Sequence, residues 1–220
     1  MFADRMDAGQ RLGAVLHEFI EKECPGEQVV VLALPRGGVP VGYQVAKELD
    51  AALDVFVVRK LGAPTQPELA MGAIASGGVR VVNPDVVRVL HVTPQQMEET
   101  AEREGRELER REHAYRGNRA PVDVKGKCVL LVDDGVATGY TMRAAVEALR
   151  QLEPKRIIVS APVAARDTCE DLKRYADAVV CLITPVDFAA VGQWYGRFDQ
   201  TSDNEVRLLL ELAAERSLER

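Results

Sequence analysis

The chain has 220 residues, 47% of them hydrophobic, with 28 Lys and Arg against 34 Asp and Glu and a net charge of −6. That length suits one ample domain, and the negative balance argues against a nucleic-acid backbone as partner. Apolar runs are only strand-length and the opening Met-Phe-Ala-Asp-Arg is polar. Neither a membrane span nor a secretory leader is expected, and the expected location is the cytoplasm.

In chain order, residues 8–23 place Leu12, Val15, Leu16, Phe19 and Ile20 on one helical face. A strand is predicted over 28–34, a helix over 39–50 and a strand over 54–58. Residues 72–82 read as a hairpin turning at Gly77-Gly78. Thr93-Pro94-Gln95-Gln96 has the form of a helix start, with Thr as N-cap, Pro in first position and Gln three residues after the cap. The helix it opens, to about 118, is almost wholly charged, with Glu99/Arg103, Glu102/Arg106 and Glu107/Arg111 spaced for pairing. It reads as a solvated helix on an excursion. Then follow a strand at 128–132, a helix at 140–152, a strand at 156–161, a helix near 166–175, a strand at 178–183 and a last helix over roughly 203–216, capped by Ser202 or Asp203. Strands alternating with helices predict an α/β fold, an open parallel sheet with helices on both faces.

Cys24, Cys128, Cys169 and Cys181 show no metal-ligand spacing and are expected to be reduced thiols. His17, His91 and His113 have no partner in sequence and are read as structural or exposed. Glu68 is read as a solvated carboxylate.

Residues 128–141 carry the chemistry. The apolar run Cys128 to Val132 ends at two adjacent carboxylates, Asp133 and Asp134, and small residues then lead into a helix near Tyr140. A strand, a loop and a helix start in that order make an anion site, because the first amides of a helix have no internal partner. Ala137, Thr138, Gly139 and Thr141 allow close backbone approach. A ligand that satisfies both the amides and the acid pair carries a phosphate and, nearby, hydroxyls or a metal. Ribose 5-phosphate has that form.

This segment resembles the phosphoribosyl pyrophosphate (PRPP) signature of the type I phosphoribosyltransferases, in which an apolar strand, two acids and two small or apolar residues precede Ala-Thr-Gly-x-Thr. The resemblance implies that fold with a small hood, in one domain: a core over about 8–185, a long excursion at 61–127, and a hood from about 186–220 joined by N-terminal residues such as Phe2, Asp4 and Arg5. It gives the charged helix opened by Thr93 a second reading, as part of the mobile active-site loop that the family inserts between its second and third core strands. It implies transfer of ribose 5-phosphate from PRPP to a nitrogen acceptor, a nucleobase or related heterocycle, with release of pyrophosphate. The implied site comprises Asp133, Asp134 and Lys60 as catalytic residues. Arg36, Gly37, Gly38, Arg59, Asp133, Asp134, Ala137, Thr138, Gly139, Tyr140 and Thr141 would bind PRPP. Pyrophosphate would meet the loop Leu34-Pro35-Arg36-Gly37-Gly38 and the cations of Val58-Arg59-Lys60, at the carboxyl ends of two strands. Magnesium is the implied cofactor, held mainly by PRPP near Asp133 and Asp134 rather than by a dedicated protein site. The implied partners are these small molecules and further copies of the chain, with a dimer expected.

Phe188, Trp194, Tyr195 and Phe198 gather aromatics in a loop broken by Gly192 and Gly196. Trp194, Tyr195 and Phe188 are candidate walls for the acceptor base; the same rings could equally be hood core or a dimer contact. Ala137 stands where oxopurine-type members often carry an acid, which counts against a hypoxanthine/guanine acceptor. The competing functional reading is a PRPP-sensing regulator on the same fold with little turnover.

Overall fold

The computed structural model describes residues 1–218. Eight strands, β1 (Val29–Ala33), β2 (Ala52–Val55), β3 (Val58–Ala63), β4 (Gln66–Ala75), β5 (Val79–Val82), β6 (Cys128–Val132), β7 (Arg156–Val163) and β8 (Ala178–Ile183), form two sheets. The larger is parallel, in the order β2-β1-β6-β7-β8; the smaller is antiparallel, in the order β3-β4-β5. The helices are α1 (Arg5–Glu23), α2 (Gly38–Glu48), α3 (Pro84–Val89), α4 (Pro94–Arg116), α5 (Tyr140–Arg150), α6 (Arg166–Leu172) and α7 (Asp203–Leu218), with a 3-10 turn at Val191–Trp194.

β6 lies at the centre of the parallel sheet, and all five of its residues are buried. Its apolar run has no alternation because both faces are covered. Cys128, Leu130 and Val132 join one core with Leu12 and Leu16 of α1, Val45 of α2 and Leu210 of α7. Val129 and Leu131 join the other with Met142, Val146 and Leu149 of α5 and Leu172 of α6. Helices therefore cover both faces, as the alternating pattern predicts.

Three boundaries differ from expectation. α1 begins at Arg5, three residues before the predicted start, because the Asp4 carboxylate accepts from the amides of Met6 and Asp7 and caps it there. The predicted strand 54–58 is in fact divided between two sheets. β2 ends at Val55; Phe56 and Val57 are buried, one in each core, and Val58 opens β3 opposite Ala75. An apolar run that crosses from sheet to sheet has the same composition as one long strand, which is why the break was not visible. The hairpin turns at Gly77 and Gly78, both at positive φ, but its first strand extends back to Gln66 by pairing with β3.

α4 begins as predicted, with the Thr93 and Gln96 side chains closing a capping box, but it is not a solvated excursion. Thr100, Ala101, Leu108, Tyr115 and Arg116 are buried, and the helix packs on β3, β4 and α7. Of the expected pairs, Glu107–Arg111 forms at 2.9 Å, and Glu107 also takes Arg110 at 2.7 Å. At the helix end, Arg116 Nε donates to Asp54 Oδ1 at 3.0 Å, and Asp54 also accepts from the amides of Val55 and Val122. α7 is capped by Ser202, whose hydroxyl accepts from the Glu205 amide at 3.1 Å.

Candidate active site

Two junctions meet at the carboxyl edge of the parallel sheet. Leu34 N donates to Val132 O at 2.9 Å, so the loop after β1 lies against the end of β6. The glycines there are required by space rather than by backbone sign. Gly37 has φ −61°, an ordinary helical value. A Cβ on it would fall 2.0 Å from Asp134 Oδ2, and one on Gly38 would fall 2.8 Å from Val132 O and 3.2 Å from Asp133 Oδ1. The Gly38 amide donates to Leu34 O at 3.0 Å as α2 begins, so it is not open to a ligand. Arg36 extends from this loop to Asp203 Oδ1 at 3.5 Å, and Tyr115 also donates to that carboxylate.

The acid pair is asymmetric. Asp133 Oδ1 accepts from the Asp134 amide at 2.8 Å. Burial, with the Asp134 carboxylate second, raises the Asp133 carboxyl well above its ordinary range. Asp134 is met by a group from the other end of the chain: Arg5 Nε bonds its Oδ2 at 2.8 Å. Arg5 also donates to Asp199 O at 2.6 Å and lies 3.9 Å over the Phe198 ring. Sequence reasoning placed Arg5 in the hood but gave it no role.

Beyond the acids, Val136 bridges to Ala164 in parallel register, and Thr168 donates to Ala137 O at 2.7 Å. These two contacts pin the loop. Gly139 sits at φ +74°, a conformation costly for other residues, and caps α5. Arg143 N bonds Gly139 O at 2.8 Å, so the amides of Tyr140, Thr141 and Met142 are left open in the ordinary manner of a helix start. Ala137, Thr138, Tyr140 and Thr141 are exposed. The structure thus brings Arg36, Gly37, Gly38, Asp133, Asp134 and the loop 137–141 to one edge.

Arg59 and Lys60 belong to the second sheet. Arg59 is held by Glu104 of α4 at 3.0 and 2.6 Å, and Lys60 Nζ bonds Glu68 Oε2 at 3.3 Å. Both line a cavity of about 690 Å³ between the β3–β4 hairpin and α4, whose walls also include Arg103, Glu99 and Glu104 but neither Asp133 nor Asp134. Chemistry rather than volume marks the candidate site: the acid pair and open amides lie outside that cavity.

The aromatic loop folds onto the N-terminus. Phe2 N bonds Trp194 O at 2.8 Å and Gly196 N bonds Phe2 O at 2.7 Å. Tyr195 is buried between Phe2 and Phe198, with ring centroids 5.4 and 4.9 Å away, and its hydroxyl donates to Asp134 O. That burial raises the phenol well above its ordinary range. Trp194 and Phe188 are half-buried beside this cluster. The Trp194 indole N–H is buried without a partner among the described residues.

Sheet order, crossovers and the polar loops gathered at the carboxyl ends of β1 and β6 define a doubly wound α/β protein of the type I phosphoribosyltransferase fold. The phosphoribosyl transferase domain matches residues 3–195, and the chain belongs to that family. It is 46% identical over 213 residues to "Putative phosphoribosyl transferase Rv0571c" of Mycobacterium tuberculosis, an alignment covering 97% of this chain and 47% of that protein. The chain therefore spans about half the length of that curated relative. A crystal structure of TT1426 from Thermus thermophilus superposes with a TM-score of 0.83 at 42% identity, over 95% of this chain and 97% of that one. A 58-residue stretch, 26% of this chain and 21% of the other, is 52% identical to ribose-phosphate pyrophosphokinase of Thermococcus kodakarensis.

Proposed function

We propose that the chain transfers ribose 5-phosphate from PRPP to a nitrogen acceptor, a nucleobase or related heterocycle, in the cytoplasm. The observation that carries this reading is the acid pair Asp133–Asp134 directly ahead of an open helix start at 139–142. The amides and Thr138 and Thr141 suit the 5-phosphate, and the carboxylates suit the ribose hydroxyls. The bond from C1 to pyrophosphate breaks with its electron pair leaving on pyrophosphate, and the acceptor nitrogen forms the new bond to C1 as it sheds a proton. Bond breaking runs ahead, and the sugar becomes oxocarbenium-like. Carboxylate charge at the acid pair beneath the ring favours that positive charge.

Asp133 and Asp134 offer hard oxygen donors beside the expected pyrophosphate, a set that suits magnesium bound mainly through substrate. When bound, magnesium supplies charge neutralisation on the leaving group. Arg36 is a cation of the chain on the same edge that is free of the acid pair, held among the described residues only by Asp203 at 3.5 Å. Lys60 and Arg59 would act by approach of the β3–β4 hairpin, whose exposed Lys60 head is tied only to Glu68. Asp134 exchanges Arg5 for a ribose hydroxyl on loading, so the hood senses an occupied site. Trp194 and Phe188 form the acceptor wall, with Tyr195 behind them as hood core. Four free thiols accord with a reducing compartment.

Radiolabelled PRPP offered with a panel of bases tests the reading. Base-dependent release of pyrophosphate supports it. Tight PRPP binding with no turnover on any base favours the sensing role instead.

A further inference from the structure

At the opposite end of β6 from the acid pair, about 17 Å away at the rise of a strand, lies a second cluster that the proposed reaction does not use. Cys24 is the C-cap of α1, and its own amide is satisfied by Ile20 O. The chain then turns through Pro25 and Gly26, the latter at φ +73°, and the Glu27 amide bonds Cys24 O at 3.1 Å. Pro followed by a positive-φ Gly is the sequence of a tight turn that returns its fourth residue beside its first. Cys128 opens β6 next to it, with its amide on Gln28 O at 2.9 Å.

The two sulfurs are 3.7 Å apart, and one ligand atom from each of Cys24, Glu27 and Cys128 lies within 4.8 Å of the others. Among the described residues this is the one cluster of three such groups. Two thiolates bound tetrahedrally at about 2.3 Å stand about 3.8 Å from one another, so the sulfurs already have the separation a zinc-like ion demands. The carboxylate is poised in the same sense. Glu27 Oε1 takes both Lys155 at 2.9 Å and Arg156 at 3.2 Å, while Oε2 is buried with no partner among the described residues. The Glu27 side chain is only 9% exposed, and an unpartnered buried carboxylate oxygen is costly. Lys155 and Arg156 hold the Glu27 carboxyl below its ordinary range, in the ionised form that a cation would take as a ligand.

We propose that Cys24, Glu27 and Cys128 form a structural site for a thiophilic divalent ion of the zinc class, with water as the fourth ligand. Binding replaces two thiol protons by one dication, so the net charge of the cluster, including Lys155 and Arg156, does not change. The ion ties the end of α1 to the start of β6. Cys169 and Cys181 provide an internal control: their sulfurs are 3.9 Å apart, but no carboxylate completes a cluster there among the described residues.

Chelator-treated protein, refolded with cobalt(II) chloride under a phosphine reductant, tests the site. The expected result is one cobalt per chain, a thiolate-to-cobalt charge-transfer band, loss of that band on adding zinc(II), and a higher melting temperature with either ion. Cys181→Ser keeps the band. Cys24→Ser loses affinity by more than the roughly 10–100-fold typical of outer-shell partners, and Glu27→Gln, which replaces a charged ligand oxygen by a neutral one, loses at least about 10-fold. Far-UV circular dichroism of the metal-free variants checks their folding; if Cys24→Ser does not fold, Glu27→Gln decides. No band in folded wild type, a band that survives in folded Cys24→Ser, or unchanged affinity in Glu27→Gln overturns the proposal.

Discussion

The parallel sheet and the 61–127 excursion are built on different physics. β6 and its neighbours are specified by local pattern: strand-length apolar runs, buried on both faces, that end in polar loops at one edge. The excursion buries apolar residues too, but it adds charge pairs closed over long sequence distances. Arg116 meets Asp54 across 62 positions, and Arg59 meets Glu104 across 45. In the sheet the polar residues are left at the ligand edge; in the excursion they hold the structure together. On the proposed function, charge removal is expected to harm stability in one region and chemistry in the other.

The largest stability effect is expected at the buried pair. Arg116 and Asp54 side chains are 8% and 7% exposed. Arg116→Ala strands the carboxylate and is expected to cost about 3–5 kcal/mol in urea unfolding. The double replacement Arg116→Met with Asp54→Asn should recover much of that loss. Equal cost in both would mean that packing, not the stranded charge, decides.

Gly37→Ala comes next. Its Cβ would fall on Asp134 Oδ2, so the loop or the acid must shift. The expected cost is about 1–3 kcal/mol, with PRPP affinity falling further than stability alone explains. Calorimetry alongside a melt separates the two effects.

Asp133→Asn should do the opposite to stability. The folded carboxyl is raised above its ordinary value of 3.8 by burial and by Asp134. As pH rises past 3.8 the unfolded chain ionises first, so the wild type loses stability until the raised folded value is passed. The Asn variant escapes this. Its melting temperature should match wild type near about pH 3, exceed it by a growing margin as pH rises toward the raised folded value, and keep a constant advantage above that value, while turnover is lost. A constant offset across pH would show that the acid is not the cause.

The smallest effect is local to α4. Thr93→Ala removes one side of the capping box and should cost about 1 kcal/mol, leaving PRPP binding untouched. Any change in binding would show that α4 is coupled to the ligand edge.

This contrast also explains what the sequence disclosed. The strands β1, β6, β7 and β8, the Thr93 cap, the 77–78 turn and the strand–loop–helix form of 128–141 were legible because each is written in adjacent residues. Arg5 on Asp134 was not, since 129 positions separate them and a single Arg after Asp4 has no periodic signature. The split at Phe56 and Val57 was hidden because burial in two different cores has one composition. The burial of α4 was masked by its charged surface, although Ala101, Leu108 and Tyr115 are spaced by seven residues, close to two helical turns.

The most direct measurement is calorimetric titration of PRPP with magnesium into wild type, Asp133→Asn and Asp134→Asn, each first shown to be folded. Wild type should bind, each variant should bind at least about 10-fold more weakly, as befits loss of a charge-assisted hydrogen bond, and chelation of magnesium should weaken wild type. Equal PRPP affinity in all three proteins would contradict a ribose site at the acid pair.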